Sequence, residues 1–421
     1  MPLQIAIIGA GLGGPALALE LLKVPGITCT IYELRPEGYE QGQHISLAPN
    51  AMRIMKHIGV IEKLNAIGHT YEALHLCNAK GARIATFHNG HEKEYGFGAM
   101  RVHRRYVQQV LIEECKAKGV EIRHGMKLKE IREYEAKRTV EMIFTSGQTA
   151  QADFIVGVDG LHSAVRDYLA PNVEPVYAKM LGVTGFLHRN RLHSSAGRIG
   201  LPAHFIGPNA FIAIMPSDVW GNDIGFFSTM DFNEEKSRED WDKLFHDKDA
   251  IRAILRELFS TEKGWSDLVA ELCDTAEEES LCSWPFFIAP PLPNWYSPSG
   301  RVLVMGDAAH AMIPTGGLGA SLAFEDAECL ALLLKHLAPS HLNSHSLQQT
   351  LPIWEAHRQQ RLALVQEFTN RNRRLRQPGG SWQYLKEWFV WLFFKVMGRG
   401  GQAEEIYRYD TEVFAKMLPA V

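Results

Sequence analysis

A glycine-rich segment near the N-terminus has the spacing needed to hold the phosphates of a dinucleotide. Residues 9–14 read GAGLGG and follow Leu3–Ile8, an apolar run typical of a buried parallel strand. Residues 15–23 predict a helix, and a second strand at 27–33 ends in Glu33. Such a turn lets the chain approach a pyrophosphate at the helix N-terminus, and the acid can accept hydrogen bonds from a ribose. Because an acid there disfavours a 2′-phosphate, we predict an FAD or NAD site rather than an NADP site.

A second acid stands at the end of a strand late in the chain. Residues 301–310 read RVLVMGDAAH, and the loop 314–321, PTGGLGAS, leads into another helix. The carboxylate of Asp307 can bind a ribityl or ribose hydroxyl, and the helix start can face an anionic ring oxygen. Two such half-sites, far apart in sequence, favour one extended cofactor.

A third segment, residues 157–166, reads GVDGLHSAVR. Asp159 and Gly160 predict a tight turn, and Arg166 follows in a short helix. As an alternative without a ligand, Asp159 caps that helix and pairs with Arg166.

The order of these elements predicts an α/β fold with a Rossmann-like FAD-binding domain, an inserted mixed or antiparallel β-sheet and C-terminal helices. Between about residues 180 and 230, short β-like runs alternate with Gly, Pro and Asn, which is typical of antiparallel strands. We predict a discontinuous cofactor domain at 1–175 and 285–345, a sheet domain at 176–284 and a helical region at 346–421.

Composition narrows the class of protein. The chain has 421 residues, a net charge of −4 and 22% charged residues, so no global basic field would attract nucleic acid. Its six cysteines form no CxxC or Cys/His cluster, which predicts free thiols, a reducing cytoplasmic compartment and no metal site.

In this order, the three segments resemble the class A, single-component FAD-dependent monooxygenases of the p-hydroxybenzoate hydroxylase fold. The similarity is greatest to the salicylate hydroxylase-like branch, which includes enzymes of fungal secondary metabolism. The family pattern is G-x-G-x-x-G, D-G-x-x-S-x-V-R, then G-D-A-A-H, a proline, a G-x-G-A loop and E-D-A, and the sequence has each part. Residues 42–51, 103–106 and 354–361 resemble further segments of that branch, and the resemblance extends from about residue 3 to 375.

The resemblance implies which residues bind the cofactor. They are Gly9, Gly11, Leu12, Gly14, Glu33, Arg35, Arg104, Asp159, Arg166, Asp307, Pro314, Gly317, Gly319 and Ala320. In the family the first glycines contact the pyrophosphate, the position of Glu33 binds the adenosine ribose, and that of Asp307 binds the ribityl chain. Asp159 and Arg166 match a motif associated with both FAD and NAD(P)H. Leu318 departs from the family, which often has Gln there, and removes a side-chain amide near the flavin ring.

The resemblance also implies a reaction. NADH or NADPH reduces FAD, O2 adds to give a flavin C4a-hydroperoxide, and its distal oxygen hydroxylates or epoxidises an aromatic or heteroaromatic small molecule. One alternative is a flavin-dependent reductase or dehydrogenase of similar fold without oxygen insertion. Another is a redox-responsive flavoprotein that acts as a binding partner.

The middle of the chain predicts the substrate pocket. Its candidates are Phe186, His188, Arg198, His204, Phe205, Phe211, Trp220, Phe226, Phe227, Trp284, Phe286 and Phe287. Aromatic side chains at this density suit an aromatic ligand, and they also suit an ordinary core. His188 or His204 could deprotonate a phenol, and Arg198 could bind a carboxylate or phenolate, although a surface or core role is the simpler interpretation of each. No catalytic base is assigned.

The C-terminal region carries a segment, residues 381–397, that is apolar over most of its surface. It is short for a transmembrane helix, so packing against the protein body is the first interpretation. A lid, a dimer helix and peripheral membrane contact are alternatives, and the oligomeric state stays open. The basic run 371–376 predicts the solvated end of a helix.

Overall fold

The structure is a computed structural model of the whole chain. It describes residues 2–39, 43–193, 200–207, 210–337, 344–376, 382–397 and 403–419. The strands are β1 (Leu3–Ile8), β2 (Ile27–Tyr32), β3 (His44–Leu47), β4 (His69–Tyr71), β5 (Ala73–Asn78), β6 (Arg83–His88), β7 (Ala99–His103), β8 (Glu121–Arg123), β9 (Leu128–Tyr134), β10 (Thr139–Phe144), β11 (Thr149–Ala152), β12 (Phe154–Gly157), β13 (Val176–His188), β14 (Ala203–Ile206), β15 (Phe211–Pro216), β16 (Asp223–Asp231), β17 (Cys282–Ile288) and β18 (Val302–Val304).

The α-helices connect and cover these strands. They are α1 (Gly13–Leu21), α2 (Pro49–His57), α3 (Ile61–Asn65), α4 (Glu92–Tyr95), α5 (Arg104–Ala117), α6 (Ala164–Leu169), α7 (Arg238–His246), α8 (Lys248–Leu258), α9 (Asp267–Thr275), α10 (Asp307–His310), α11 (Gly319–Leu337), α12 (Ser344–Arg376), α13 (Gln383–Met397), α14 (Glu404–Tyr407) and α15 (Glu412–Ala415). Within the described ranges, no helix has both the length and the apolarity required to cross a bilayer.

A five-stranded parallel sheet forms the centre of the cofactor-binding half, with the order β18-β12-β1-β2-β8. The middle strands of this sheet are buried on both faces, and α1 and α11 pack together on one side of it. Burial on both faces explains the continuous apolar runs in the sequences of these strands. Parallel strands share one carboxyl edge. The segments that follow β1, β12 and β18 therefore meet there, and these are the three motif segments found in the sequence.

The second large sheet has seven strands in the order β17-β13-β16-β15-β14-β5-β6, antiparallel except for the pair β14–β5. One face packs on α7, α8 and α9 around residues such as Leu181, Ile251 and Leu272. The opposite face, which carries Phe186, Gly225 and Phe227, is called the cleft face below. Strands β5 and β6 join this sheet from before residue 90, and β17 is an edge strand, where its proline, Pro285, is tolerated.

Two three-stranded sheets complete the fold, with the orders β3-β7-β4 and β11-β10-β9. The first lies between the parallel sheet and the cleft face. The predicted architecture, a Rossmann-like sheet with a second sheet and C-terminal helices, is confirmed.

Candidate active site

The turn after β1 requires glycine for its own geometry at two positions. Gly9 has a φ of +110°, and a Cβ there would lie 2.5 Å from the carbonyl oxygen of Val158. A Cβ on Gly14 would lie 2.0 Å from the carbonyl oxygen of Gly9. Leu12, at the N-cap of α1, is buried in the main core. These three residues therefore build the tight entry into the helix.

Gly11 is different because its outer side is open. A Cβ there would meet Nη2 of Arg104 at 3.7 Å, an ordinary van der Waals contact. Burial lowers the pKa of Arg104, the first residue of α5, and the negative charges of Asp307 and Glu33 oppose this lowering. The turn thus presents open backbone and a guanidinium group together, as a pyrophosphate requires.

The carboxylate of Glu33 reaches back across the sheet edge. Its Oε2 accepts a hydrogen bond from the N–H of Ala10 at 2.6 Å, and its Oε1 accepts one from the N–H of Arg35 at 2.8 Å. Each oxygen keeps a lone pair for a ribose hydroxyl. The side chain of Arg35 is exposed, with its guanidinium 4.5 Å from the centre of the Tyr39 ring.

Asp159 follows β12 and lies against Gly9. Its Oδ2 accepts a hydrogen bond from the N–H of Ala164 at 2.8 Å and so caps α6, whereas its Oδ1 is buried without a hydrogen-bond partner. Burial raises the pKa of Asp159 to about 6. A buried oxygen without a partner is suited to a donor on a ligand. Capping the helix and binding a ligand are therefore compatible roles for this residue.

The buried side chain of Arg166 donates hydrogen bonds to three backbone carbonyl groups. Its Nη1 donates to the carbonyl oxygens of Ala308 at 3.2 Å and Ala309 at 3.1 Å, and its Nη2 donates to that of Pro290. It bonds backbone carbonyls in place of the carboxylate of Asp159 considered above. Arg166 thus fixes the turn that carries Asp307 and acts as a positioning residue.

The side chain of Asp326 stabilises the turn after β18 through hydrogen bonds. The N–H of Gly306 donates to Oδ2 of Asp326 at 2.9 Å, and Nε2 of His310 shares a hydrogen bond with the same oxygen at 2.6 Å. Gly306 has a φ of +58°, which allows the sharp change from strand to helix. Asp307 is exposed, and its Oδ1 lies 3.9 Å from where a Cβ on Gly319 would stand. The carboxylate therefore faces the glycine loop.

Behind this turn lies a buried network of charges. Asp326 accepts a hydrogen bond from Nε of Arg358 at 2.6 Å, and Glu325 binds Nη2 of Arg358 at 3.0 Å and Nη2 of Arg361 at 2.9 Å. Asn50 donates to Glu325 at 2.7 Å. Burial raises the pKa of both acids, but the adjacent cations outweigh it and hold both pKa values below their usual range. The network joins α2, α11 and α12 into one support for the cofactor turn.

The same network holds the C-terminal segment. Arg361 donates to the carbonyl oxygens of Glu405 at 2.9 Å and Ile406 at 2.8 Å. The hydroxyl of Tyr409 accepts a hydrogen bond from Arg358 at 3.1 Å and shares one with His357 at 2.9 Å. Residues 405–409 thereby become part of the support for the site.

The glycine loop continues from Pro314, which is exposed and begins a short 3-10 turn, to Gly319 and Ala320 at the start of α11. Gly317 has a φ of +65° and is exposed. Leu318, the residue that departs from the family pattern, is buried. Its hydrophobic cluster contains Ala48, Tyr95, Leu322, Val365, Ala403, Ile406 and Tyr407. Its side chain therefore supports the loop from within, and the backbone remains available to a ligand.

Replacing Leu318 by glutamine should destabilise the protein by about 1–3 kcal/mol, because the amide would be buried among apolar groups. Thermal unfolding of the flavin-free protein measures this loss. Leu318→Met, which conserves volume, should cost less than about 1.5 kcal/mol. A Gln variant as stable as the wild type would show that position 318 accepts the family's amide.

The residues on the carboxyl edge fit a dinucleotide. The outer side of Gly11 is open to a ligand, whereas Gly9 and Gly14 are packed against backbone atoms. Arg104 supplies a cation, and Asp159 has a buried oxygen without a hydrogen-bond partner. A sequence model described as an FAD binding domain matches residues 2–262 and 296–369. The chain belongs to this family of FAD-binding enzymes.

The relatives of this flavoenzyme are monooxygenases. It is 30% identical to 6-hydroxynicotinate 3-monooxygenase of Pseudomonas fluorescens, over 89% of this chain and 92% of that protein. It is 27% identical to salicylate hydroxylase of Pseudomonas putida, over 93% of this chain and 92% of that one. The enzyme is thus an FAD-dependent monooxygenase, and the resemblance stated from the motifs is confirmed.

A solved structure shares the fold. HpxO of Klebsiella pneumoniae, in complex with FAD and uric acid, has a TM-score of 0.78 and 21% sequence identity, covering 98% of this chain and 96% of that chain. This likeness supports the two-sheet architecture described above.

Strand β3 joins the cofactor edge to the cleft face. Near its end, Cβ of Ser46 lies 3.9 Å from where a Cβ on Gly317 would stand, and the Ser46 hydroxyl accepts a hydrogen bond from Arg101 at 3.1 Å. At its start, Nδ1 of His44 lies 2.8 Å from where a Cβ on Gly225 would stand. Burial lowers the pKa of Arg101 to about 10, and its Nε has no hydrogen-bond partner. Sequence reasoning quoted this strand as a family segment without assigning its side chains.

His44 and His103 form a buried pair, with their Nε2 atoms 2.9 Å apart. The ring of Phe186 meets both imidazoles edge-on, at centroid distances of 5.6 and 5.3 Å. Burial, aided by the charges of Arg101 and Arg105, lowers the pKa of His103 to about 4 and that of His44 well below its usual value. Both rings are therefore neutral at pH 7, and Nδ1 of His44 is buried without a hydrogen-bond partner.

The depressed pKa values make stability depend on pH. An unfolded histidine takes up a proton near pH 6.5, whereas native His103 does so only near pH 4. The unfolded state thus binds more protons between these values, so stability is full above about pH 6.5 and falls as pH decreases towards 4. His103→Phe should flatten this fall in a series of melting curves. His188→Phe, at an exposed histidine, should keep the wild-type slope, and equal slopes in all three proteins would contradict the expectation.

The predicted substrate residues separate by strand face. Phe205, Phe226 and in part Phe287 belong to the core under the helices. The cleft face carries Phe186, His204, Phe211, Phe227, Trp284 and Phe286. On that face Phe227 stacks on Trp284, with ring centroids 5.9 Å apart, and lies 6.5 Å from Phe286.

The histidine candidates and Trp220 have different surroundings. His188 is exposed at the end of β13, where its ring accepts a hydrogen bond from the N–H of Asn190. His204 is buried and meets the ring of Phe211 edge-on at 5.2 Å. Trp220 is 81% exposed in the turn between β15 and β16. Arg198 lies outside the described residues.

The structure also brings together His88, His91 and Glu94, whose potential metal-ligand atoms lie within 4.8 Å of one another. The sequence analysis did not identify this partly exposed group. One carboxylate oxygen of Glu94 lies 3.4 Å from Nδ1 of His88, and the other lies 3.9 Å from Nδ1 of His91. These ion pairs account for the grouping.

Proposed function

We propose that the enzyme uses NADH or NADPH and O2 to hydroxylate or epoxidise an aromatic or heteroaromatic small molecule. When bound, FAD supplies hydride uptake from the nicotinamide and activation of O2. In hydroxylation, the substrate, O2, NAD(P)H and a proton become the hydroxylated product, water and NAD(P)+. The observation that carries this proposal is the aromatic cleft face of Phe186, Phe227 and Trp284 beside the strand that touches the glycine loop.

The neutral pair His44–His103 provides a hydrogen-bond acceptor for a substrate hydroxyl beside the cleft face. Because Nδ1 of His44 has no partner, it can accept a hydrogen bond from a ring hydroxyl when Nε2 of the same ring donates to His103. Drawing that proton towards His44 during oxygen transfer makes the ring more electron-rich, which favours transfer of an electrophilic oxygen. Arg101, whose Nε is also without a partner, would hold the resulting oxyanion. We therefore favour a ring with an ionisable hydroxyl group as the substrate.

A substrate with a ring hydroxyl also agrees with the names of the relatives. Their names include a hydroxynicotinate and a salicylate, both of which carry a hydroxyl group on an aromatic ring. The ring of Phe186 packs edge-on against His44, fixes the orientation of the imidazole and gives this place an apolar wall. An apolar wall excludes water from the reacting ring and strengthens the hydrogen bond to its oxygen.

The test is to incubate the purified FAD-loaded enzyme with NADH or NADPH, 18O2 and panels of phenols and hydroxypyridines. Mass spectrometry of the products should find one labelled oxygen in a hydroxylated ring. A reduced but unlabelled product would instead establish the reductase alternative. NAD(P)H oxidation that no small molecule stimulates would favour the binding-partner alternative.

His44→Phe should lower kcat/KM by about 10²–10⁴-fold while FAD binding persists, because the ring shape is kept and the proton acceptor is lost. His188→Phe is the matched control and should match the wild type, since that histidine is exposed. Equal losses in both variants would remove His44 from the mechanism without affecting the oxygen-label result.

We also propose a reducing compartment for the enzyme. All six cysteines are free thiols, and burial raises the pKa of each of them. Thiols of this kind are stable where glutathione and thioredoxin are active.

A further inference from the structure

Helix α13 exposes most of its apolar side chains. The exposed residues on α13 and immediately before it are Trp382, Tyr384, Leu385, Trp388, Phe389, Trp391, Leu392, Phe393 and Val396, between 36% and 75% exposed. In the rest of the described chain, large exposed hydrophobic residues are scattered. A continuous apolar surface of this kind marks an interaction site. The family match ends at residue 369, so the helix lies beyond it.

The other side of α13 is anchored. Val390 and Phe394 are buried against the cluster that contains Leu76 and Phe211, and the rings of Phe394 and Phe87 stack at 5.6 Å. Asn78 donates a hydrogen bond to Glu387 at 3.3 Å. The helix is therefore fixed to the body, and its outward side is a stable surface.

The sequence on and around this helix is strongly basic. Residues 371–400 contain seven Arg or Lys residues and one acid, although the whole chain has a net charge of −4. Within the helix, Nζ of Lys395 lies 4.5 Å from the centre of the Trp391 ring. Apolar and cationic groups thus occur together in this part of the chain.

We infer that α13 docks the enzyme on an anionic membrane surface, with its exposed aromatic side chains at the level of the lipid headgroups. Trp and Tyr prefer this boundary because they combine an apolar ring with a polar group. Basic residues near an anionic leaflet add electrostatic attraction. A 15-residue helix extends about 22 Å, less than the hydrocarbon core, so it lies on the bilayer.

The charge argues against a second copy as the occupant. A twofold dimer would place the same patch on both subunits and so bring two basic regions together. Such like-charge contacts oppose association, whereas an anionic lipid surface neutralises them.

The test is flotation of the FAD-loaded enzyme with two kinds of vesicle, phosphatidylcholine alone or with about 30% phosphatidylserine. We expect binding to the anionic vesicles that weakens with salt. Trp388→Gln with Phe389→Gln should reduce the partition coefficient by about tenfold or more, since two apolar contacts are lost. Lys386→Gln and Lys395→Gln should each reduce it by about fivefold.

Trp220→Gln is the matched control, because it removes an even more exposed tryptophan from another surface. It should bind vesicles like the wild type. The variants at Trp388, Phe389, Lys395 and Trp220 should keep their flavin content and melting temperature, since these side chains are exposed. The inference is overturned if neither vesicle binds, or if the double variant floats like the wild type. It is also overturned if sedimentation shows a dimer that the double variant dissociates while no lipid is bound.

Discussion

Gly11→Ala is expected to weaken FAD binding by about tenfold to a hundredfold while the flavin-free protein stays folded. The added methyl group would meet only the tip of Arg104 within the protein, at 3.7 Å. It would, however, occupy the open side of the turn where a pyrophosphate approaches the backbone. Titration of the flavin-free variant with FAD, followed by flavin fluorescence, gives the affinity, and calorimetry gives the melting temperature.

Gly14→Ala is the informative comparison, because its Cβ would lie 2.0 Å from a backbone oxygen. That clash exists with or without FAD, so this variant should lose stability in the flavin-free protein as well. If Gly11→Ala binds FAD like the wild type, the phosphates do not approach this turn. If both variants lower the melting temperature equally, the role assigned to Gly11 is structural.

The cofactor edge could be predicted from the sequence because it is built from local patterns. Each motif follows directly on an apolar strand, and parallel strands bring their carboxyl ends together whatever their order. The acids Glu33 and Asp307 needed only to stand at those strand ends. Their nearness to Arg104, seen in the structure, follows from the same geometry.

Contacts between distant segments could not be predicted in this way. Arg166 follows Asp159 closely in sequence, which suggested an ion pair, yet its partners are carbonyl groups more than 120 residues away. The arginine partners of Glu325 and Asp326 lie on α12, and no periodicity relates α11 to α12. The E-D-A motif signalled importance without indicating this function.

Prediction of the residues on the substrate side was limited because strands of the seven-stranded sheet are buried on both faces. Strands such as β14 are buried throughout because helices cover one face and the cleft face is largely enclosed. Alternation alone separates Phe205 from His204, but it does not tell which of them faces the helices. His44 was missed for another reason: its partner His103 stands on a different strand, and only the pairing of β3 with β7 joins them.

Asp326→Asn is expected to cost about 3–5 kcal/mol of stability, because it removes one of the two buried carboxylates that pair with Arg358. The Asp326 carboxylate joins Arg358, His310 and the N–H of Gly306, and an amide cannot accept all three hydrogen bonds equally. Since this turn orients Asp307, FAD affinity should fall as well. Urea unfolding of the flavin-free protein and FAD titration measure the two effects.

The pH dependence of this loss identifies its electrostatic origin. The native pKa of Asp326 is below its unfolded value, so its contribution is present above about pH 4 and is lost as pH falls towards the native pKa. The wild type should therefore lose more stability than Asp326→Asn between about pH 5 and pH 3. Asp240→Asn is the control, because that carboxylate pairs with Lys243 on the surface, where an ion pair contributes little. If Asp326→Asn is as stable as Asp240→Asn across this range, the buried network does not support the cofactor turn.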